Sequence, residues 1–193
     1  IGIFFVLPSV VVQVGENIFG ITGLGLNLLE GLVRLGLLIG YVSAIGLMPD
    51  VRRLYGYHGA EHKTINAYES GAELTPQSVA LFPNEHPRCG TGFLLVVVVF
   101  SVLVFSTLGP MPLLLKIASR LCLLPVLASL SYEYIRYTAK NINNPIVRIL
   151  MMPSMALQRL TTREPDQEML AVAIAAFVAM QSAEENQLAD VTL

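Results

Sequence analysis

From Phe93 to Gly109 the chain reads FLLVVVVFSVLVFSTLG, 17 positions without a charge. The valines favour a strand locally. In lipid, however, only a helix or a closed barrel satisfies every backbone N–H and C=O. One such run cannot close a barrel, so a helix is expected. Residues 31–49 are long enough to span as well, with Arg34 one turn in, and residues 117–135 form a further candidate. Residues 1–14 are uncharged but fall short of the ~20 residues a spanning helix needs, and they read as the end of a truncated span. Gly109-Pro110-Met111-Pro112 is the expected turn between the last two spans. The fold class expected is therefore all-α, a polytopic membrane helix bundle of about four spans.

Composition agrees. Charged residues make up 13% of the chain and hydrophobic residues 54%, with mean hydropathy +0.63. A soluble domain averages about 25% charged, so much of this surface faces something other than water. A net charge of −2 and the lack of basic-aromatic patches set nucleic acid aside as a partner. Cys89 and Cys122 make no disulfide framework, and Cys122 lies in an apolar run as packing or lipid-facing surface. The first residue is Ile, not Met, so a fragment or processed form is expected, with any targeting segment outside the sequence.

Four segments follow: 1–49 with the first two spans, a His/Cys segment at 50–92, a membrane hairpin at 93–135, and interfacial and C-terminal helices at 136–193. The side holding 50–92 would carry Arg52, Arg53, Lys63, Arg88, Arg136, Lys140, Arg148, Arg159 and Arg163. The opposite side would carry Lys116 and Arg120. The positive-inside bias makes the first side cytoplasmic, or stromal in a plastid. Tyr132, Tyr134 and Tyr137, with Tyr55 and Tyr57, fit an interfacial aromatic belt or packing in the polar segment. Residues 144–160 read as an interfacial helix broken near Pro153. A last helix is expected over about 166–184, capped by Thr161 or Thr162, with Pro165, Asp166 and Glu168 in or near its first turn. It is apolar all round at 171–180 and should pack on protein, with a frayed tail after it.

All three histidines fall between residues 58 and 86. YHGAEHKTINAYESG suits a helix ended at Gly71. His58 and His62, four apart, share one face of it, the spacing that lets two imidazoles grip one ion. H-x-x-E-H is the inverted zincin pattern, in which Glu61 would activate a metal-bound water. Glu69, two turns past His62, could add a ligand or orient a histidine. His86 and Cys89 sit three apart in the turn NEHPRCGTG, a usable metal knuckle. A short helix from Thr75 and Pro76 could fold His86 back toward His62. Zinc suits such donors. Four protein ligands would close a structural site. Three would leave a water position, with Glu61 as general base for hydrolysis. Cys89 could instead be a nucleophile with His86 as its base.

Glu30 and Arg34, also four apart, could pair within the membrane or snorkel to the headgroups. Glu133 and Arg136 could meet the metal segment. Arg88 could bind a lipid phosphate or simply anchor the chain at the positive side.

YHGAEHKTINAYESG, LTPQSVALFPNEHPRCGTGFLL, LASLSYEYIRYTAKN and LQRLTTREPDQEMLAVAIAA, in that order, resemble the YqhQ family over about residues 25–180. The resemblance implies a multi-span membrane protein of bacteria or plastids, of a kind described as metal-dependent enzymes without an assigned reaction. It also implies that the His/Cys motifs, Glu61, Ser131–Glu133 and Thr161–Asp166 form the family core. Members of the family carry a further glycine-rich segment ahead of the first span. The localisation implied is a bacterial inner membrane, or a plastid envelope or thylakoid membrane. Two functions compete: a membrane-embedded, zinc-dependent hydrolase acting on a lipid or membrane-proximal peptide, and a non-catalytic subunit of a larger translocation or assembly complex with a structural metal. A transporter ranks third, because the spans carry little internal polarity.

Overall fold

The uncharged runs are helical, and so is every regular element the computed structural model describes, across residues 2–20, 23–108 and 111–191. A π-helical lead-in, Gly2–Val6, runs into α1 (Leu7–Phe19). Then come α2 (Leu24–Ile45), α3 (Pro49–Glu69), the one-turn α4 (Pro76–Val79) and α5 (Gly90–Ser106). The chain ends with α6 (Leu113–Cys122), α7 (Leu124–Lys140), α8 (Pro145–Thr161) and α9 (Gln167–Val191). Contacts divide it into two units: Ile1–Ala44 with Pro87–Leu157, and Ile45–His86 with Gln158–Leu193.

In the first unit, α2 is long and apolar enough to cross a membrane over Gly25–Ile45. It begins seven residues before the expected span and stops short of Pro49. α6 and α7 pass the same test only as a pair bent by 42°. The expected fourth span is broken because Pro125, in the first turn of α7, has no N–H to continue the ladder from α6. α5 holds 17 residues, about 26 Å at ~1.5 Å per residue, short of a ~30 Å hydrocarbon core. The structure thus describes one full-length span and one bent pair, not four clear spans. The turn expected at Gly109–Pro110 lies outside the described residues. α8 also departs from expectation: it runs unbroken through Pro153. Its buried stripe is Met151, Ser154 and Leu157, while Ile146, Ile149 and Met152 face outward.

α2 and α5 touch at Gly31, where any Cβ would collide with Val102. α5 and α7 pack with Phe100 edge-on to Tyr134 at 5.6 Å. The centre of the unit is polar. Glu30 and Arg34 pair at 2.9 Å and are 2% and 1% exposed. Arg34 also donates to the Phe4 carbonyl at 2.7 Å and to Ser101. Ser9 donates to Glu30 at 3.0 Å. Arg120 reaches both Glu30 oxygens at 3.2 Å, and Lys116 Nζ lies 3.8 Å away. Lys116 and Arg120 are therefore not charges on an outer surface, as their sequence positions suggest, and Glu30–Arg34 is no interfacial snorkelling pair. In an apolar bundle an unpaired ion is costly, so one carboxylate draws cations from α2 and α6 together.

In the second unit α3 packs along α9. Small residues make this possible: Gly56, Ala60 and Ala67 are buried, and Met169 fills the space a Cβ would take at Gly56. Ala60, Ala67, Val79 and Leu170 form the core, and Tyr68 meets Phe177 at 4.8 Å. Tyr55 is buried here, so it belongs to no interfacial belt. α3 ends as its glycine signals: Gly71 takes φ +70°, and the Ala72 N–H returns to the Ala67 carbonyl at 3.0 Å. α9 is capped by Asp166, whose carboxylate accepts from the Met169 N–H at 2.8 Å, rather than by Thr161 or Thr162. It continues to Val191, where a frayed tail was the expectation. Packing covers one side only, since Val172, Val178 and Met180 are exposed.

At Gly59 a Cβ would strike the Arg163 backbone carbonyl, which cannot swing aside. Gly59→Ala is expected to lower the thermal unfolding midpoint by the equivalent of about 1–3 kcal/mol. At Gly36, where a Cβ meets nothing within 4 Å, alanine should be neutral or stabilising. Thermal scans of the two variants in detergent check this, and equal midpoints would contradict the packing described.

Candidate metal centre

The helix α3 sets the first two ligand candidates. His58 and His62, one turn apart, lie with ring centroids 4.3 Å apart. Their ligand atoms come within 4.8 Å of each other. Each ring is steered by a backbone oxygen. His58 Nδ1 lies 2.9 Å from the Thr161 carbonyl, and His62 Nδ1 lies 2.6 Å from the Asn84 carbonyl. A carbonyl only accepts, so each Nδ1 carries the proton. In the neutral tautomer the lone pair then sits on Nε2, the arrangement that presents imidazole to a metal.

His86 arrives from the loop after α4. One turn of helix suffices to return the chain, and the His86 ring stands 5.9 Å from that of His62. Glu69, near the end of α3, lies 3.5 Å from His86 Nε2 and is partly exposed. It faces His86 rather than the His58–His62 pair. Glu61 is exposed on the same helix.

The loop that delivers His86 is pinned from several directions. Gln158, fully buried, accepts from the His86 N–H at 2.9 Å and donates to its carbonyl at 3.0 Å. Asn66 donates to the Pro83 and Glu85 carbonyls. Arg159 pairs with Glu85 at 2.8 Å. Glu164, from the TTREPD segment, accepts from Asn84 and pairs with Lys63 at 2.9 Å. Lys63 is itself buried and donates to the Ala80 and Phe82 carbonyls, so it ties down the end of α4 rather than flanking a membrane. Gln158, Asn84 and Asn66 are not among the sequence candidates, and Glu164 enters there only through the Thr161–Asp166 segment of the family resemblance. Gln158 leaves little trace in the sequence, since α8 also carries Arg148, Ser154, Arg159 and Thr161.

The remaining candidates belong to the first unit. Cys89 is buried and opens α5, accepting from the Thr91 N–H at 3.4 Å. Two residues separate it from His86, so the chain itself keeps its thiol near that histidine. Arg88 is exposed. Glu133 and Arg136 pair with each other at 3.6 Å on an exposed face of α7. Ser131, in the SYE segment, is fully buried, and its hydroxyl finds no partner among the described residues. Glu30 and Arg34 serve the buried cluster of the first unit. The histidine donors of the second unit fit a borderline cation that takes nitrogen.

Over residues 1–183 the chain matches the family model described as Protein of unknown function (DUF1385). It is 34% identical over 175 residues to Uncharacterized protein YqhQ of Bacillus subtilis (strain 168), an alignment covering 91% of this chain and 55% of that protein. The chain thus spans about half the length of the curated relative it matches. No solved structure matches it.

Replacing Gln158 by Leu strands a buried N–H and a buried carbonyl at His86. At about 1–3 kcal/mol for each unsatisfied group, the unfolding midpoint should fall by several degrees. Gln158→Glu keeps the acceptor and should fall between Leu and wild type. Calorimetry of the three proteins checks the order, and identical midpoints would contradict it.

Proposed function

We propose a function from one premise, that this chain belongs to the DUF1385 family and is akin to YqhQ: it is a membrane-embedded protein that binds a transition metal, zinc first, through α3. The observation that carries the reading is the pair of bonds from His58 and His62 Nδ1 to backbone carbonyls, which set both rings as Nε2 donors. His58 and His62, whose ligand atoms lie within 4.8 Å of each other, have the donor composition to hold an ion. His86 and Glu69 stand ready to add a ligand or to orient one.

We assign the site a hydrolytic role at the membrane surface, on a lipid or a membrane-proximal peptide. When bound, zinc supplies a water whose pKa is brought near neutrality. Glu61, adjacent to His62 and exposed, would take the proton. Arg88 would hold an anionic group such as a lipid phosphate. A second reading, a non-catalytic subunit of a larger membrane complex, draws on the burial of His86 and its clamp by Gln158. A fourth rigid donor would close the tetrahedron and make the site structural.

Multi-pass insertion is part of the proposal. It is supported by α2 and by outward-facing apolar residues such as Leu32, Leu103 and Ile149, which soluble surfaces seldom gather. The metal segment is assigned to the cytoplasmic or stromal side. Arg52, Arg53, Arg88, Arg136, Lys140, Arg148, Arg159 and Arg163 are exposed, whereas Lys116 and Arg120 are absorbed by Glu30.

Elemental analysis of the purified chain should find about one zinc per chain, lost in His62→Ala that keeps its helical circular dichroism. Glu61→Gln should keep the metal and lower hydrolysis of lipid and peptide substrates by about 100-fold or more. Zinc absent from the wild type would end the metal reading. A silent Glu61→Gln with zinc retained would favour the structural subunit.

A further inference from the structure

The Glu30 cluster holds more positive charge than its own carboxylate can answer. Arg34, Lys116 and Arg120 all turn to Glu30. Lys116 and Arg120 also line a cavity of about 820 Å³ together with Gln13, Glu16, Asn27 and Thr107. Its volume falls within the ~300–1,000 Å³ of small-molecule sites. Glu16 brings a second carboxylate, half-buried and engaged by the Gln13 amide at 2.7 Å. Among the described residues three cations thus meet Glu30, and Glu16 stands on the cavity wall beside two of them.

The Arg120 residue is 2% exposed, and its Nε and Nη2 bond Glu30 and Asn27. Phe105 lies 3.8 Å beneath the guanidinium and blocks one face of it. Arg120 Nη1 is buried without a hydrogen-bond partner among the described residues. A buried guanidinium N–H with no acceptor costs free energy that a ligand oxygen would cancel. The other polar groups at the wall are Lys116, the Asn27 and Gln13 amides, the Ser106 and Thr107 hydroxyls and the Glu16 carboxylate, which the Gln13 amide engages. The unpaired Arg120 Nη1 beside an ammonium and neutral donors suits an anion with several acceptor oxygens.

We propose that this cavity binds a phosphate-type oxyanion, either free in solution or as the headgroup of an anionic phospholipid, with Arg120 and Lys116 as its charged contacts. The site lies wholly within the first unit and does not depend on the metal reading.

The test titrates the purified full chain in detergent with inorganic phosphate by calorimetry, and with phosphatidylglycerol against phosphatidylcholine by native mass spectrometry. Saturable binding of either anion, weakened at least tenfold in Lys116→Met and unaffected by equal ionic strength of chloride, supports the site. Phosphate binding then identifies a free anion, and selective retention of phosphatidylglycerol identifies a lipid. Because Lys116 lies 3.8 Å from Glu30 and makes only a loose pair, its replacement should leave the helical circular dichroism intact. If that variant does not fold, the wild type decides alone. Failure of the wild type to bind both probes overturns the proposal, and so does equal binding by a folded Lys116→Met.

Discussion

A carboxylate placed inside an apolar bundle has to be answered where it stands. Glu30 is answered by Arg34 from its own helix, by Ser9 from α1, and by Arg120 and Lys116 from α6. Arg34 in turn fixes the Phe4 carbonyl and Ser101. Removing Arg34 or Arg120, the two closely bonded cations, leaves a buried carboxylate poorly answered. The first unit therefore has few ways to rearrange. Such a polar hub supplies both attraction and register to the helices that meet there.

The second unit applies the same constraint to imidazoles. His58 and His62 are oriented by backbone carbonyls rather than by side chains. Those carbonyls belong to segments that are themselves tied down, Asn84 by Glu164 and the His86 loop by Gln158, Asn66 and Arg159. Rings held this way are set in tautomer and direction before any ligand arrives, which lowers the reorganisation a bound ion would demand.

What could be read from sequence was local. The i, i+4 spacing of His58 and His62, the Gly71 cap, the Thr75-Pro76 helix start and the uncharged run of α5 each follow from neighbours in the chain. The partners of Glu30 could not be read so. Arg120 lies 90 residues away and looked like an ordinary flanking cation. Lys63 misled for the same reason: its charge counts toward a membrane bias, yet its ammonium is spent on two carbonyls and Glu164. Gln158 clamps a backbone 72 residues earlier, and no periodicity encodes that. The continuity of α8 through Pro153 and the break at Pro125 show the same limit, because one proline sits mid-helix and the other in a first turn. Spacing finds groups on one face of one helix. Which faces meet depends on the whole pattern of burial.

The proposed function stands on an ion held by the imidazole nitrogens that α3 presents. Zinc-edge X-ray absorption of the purified chain tests it most directly. Nitrogen scatterers at about 2.0–2.1 Å are the expected result. A shell of oxygen alone, or no zinc signal above background, would contradict it.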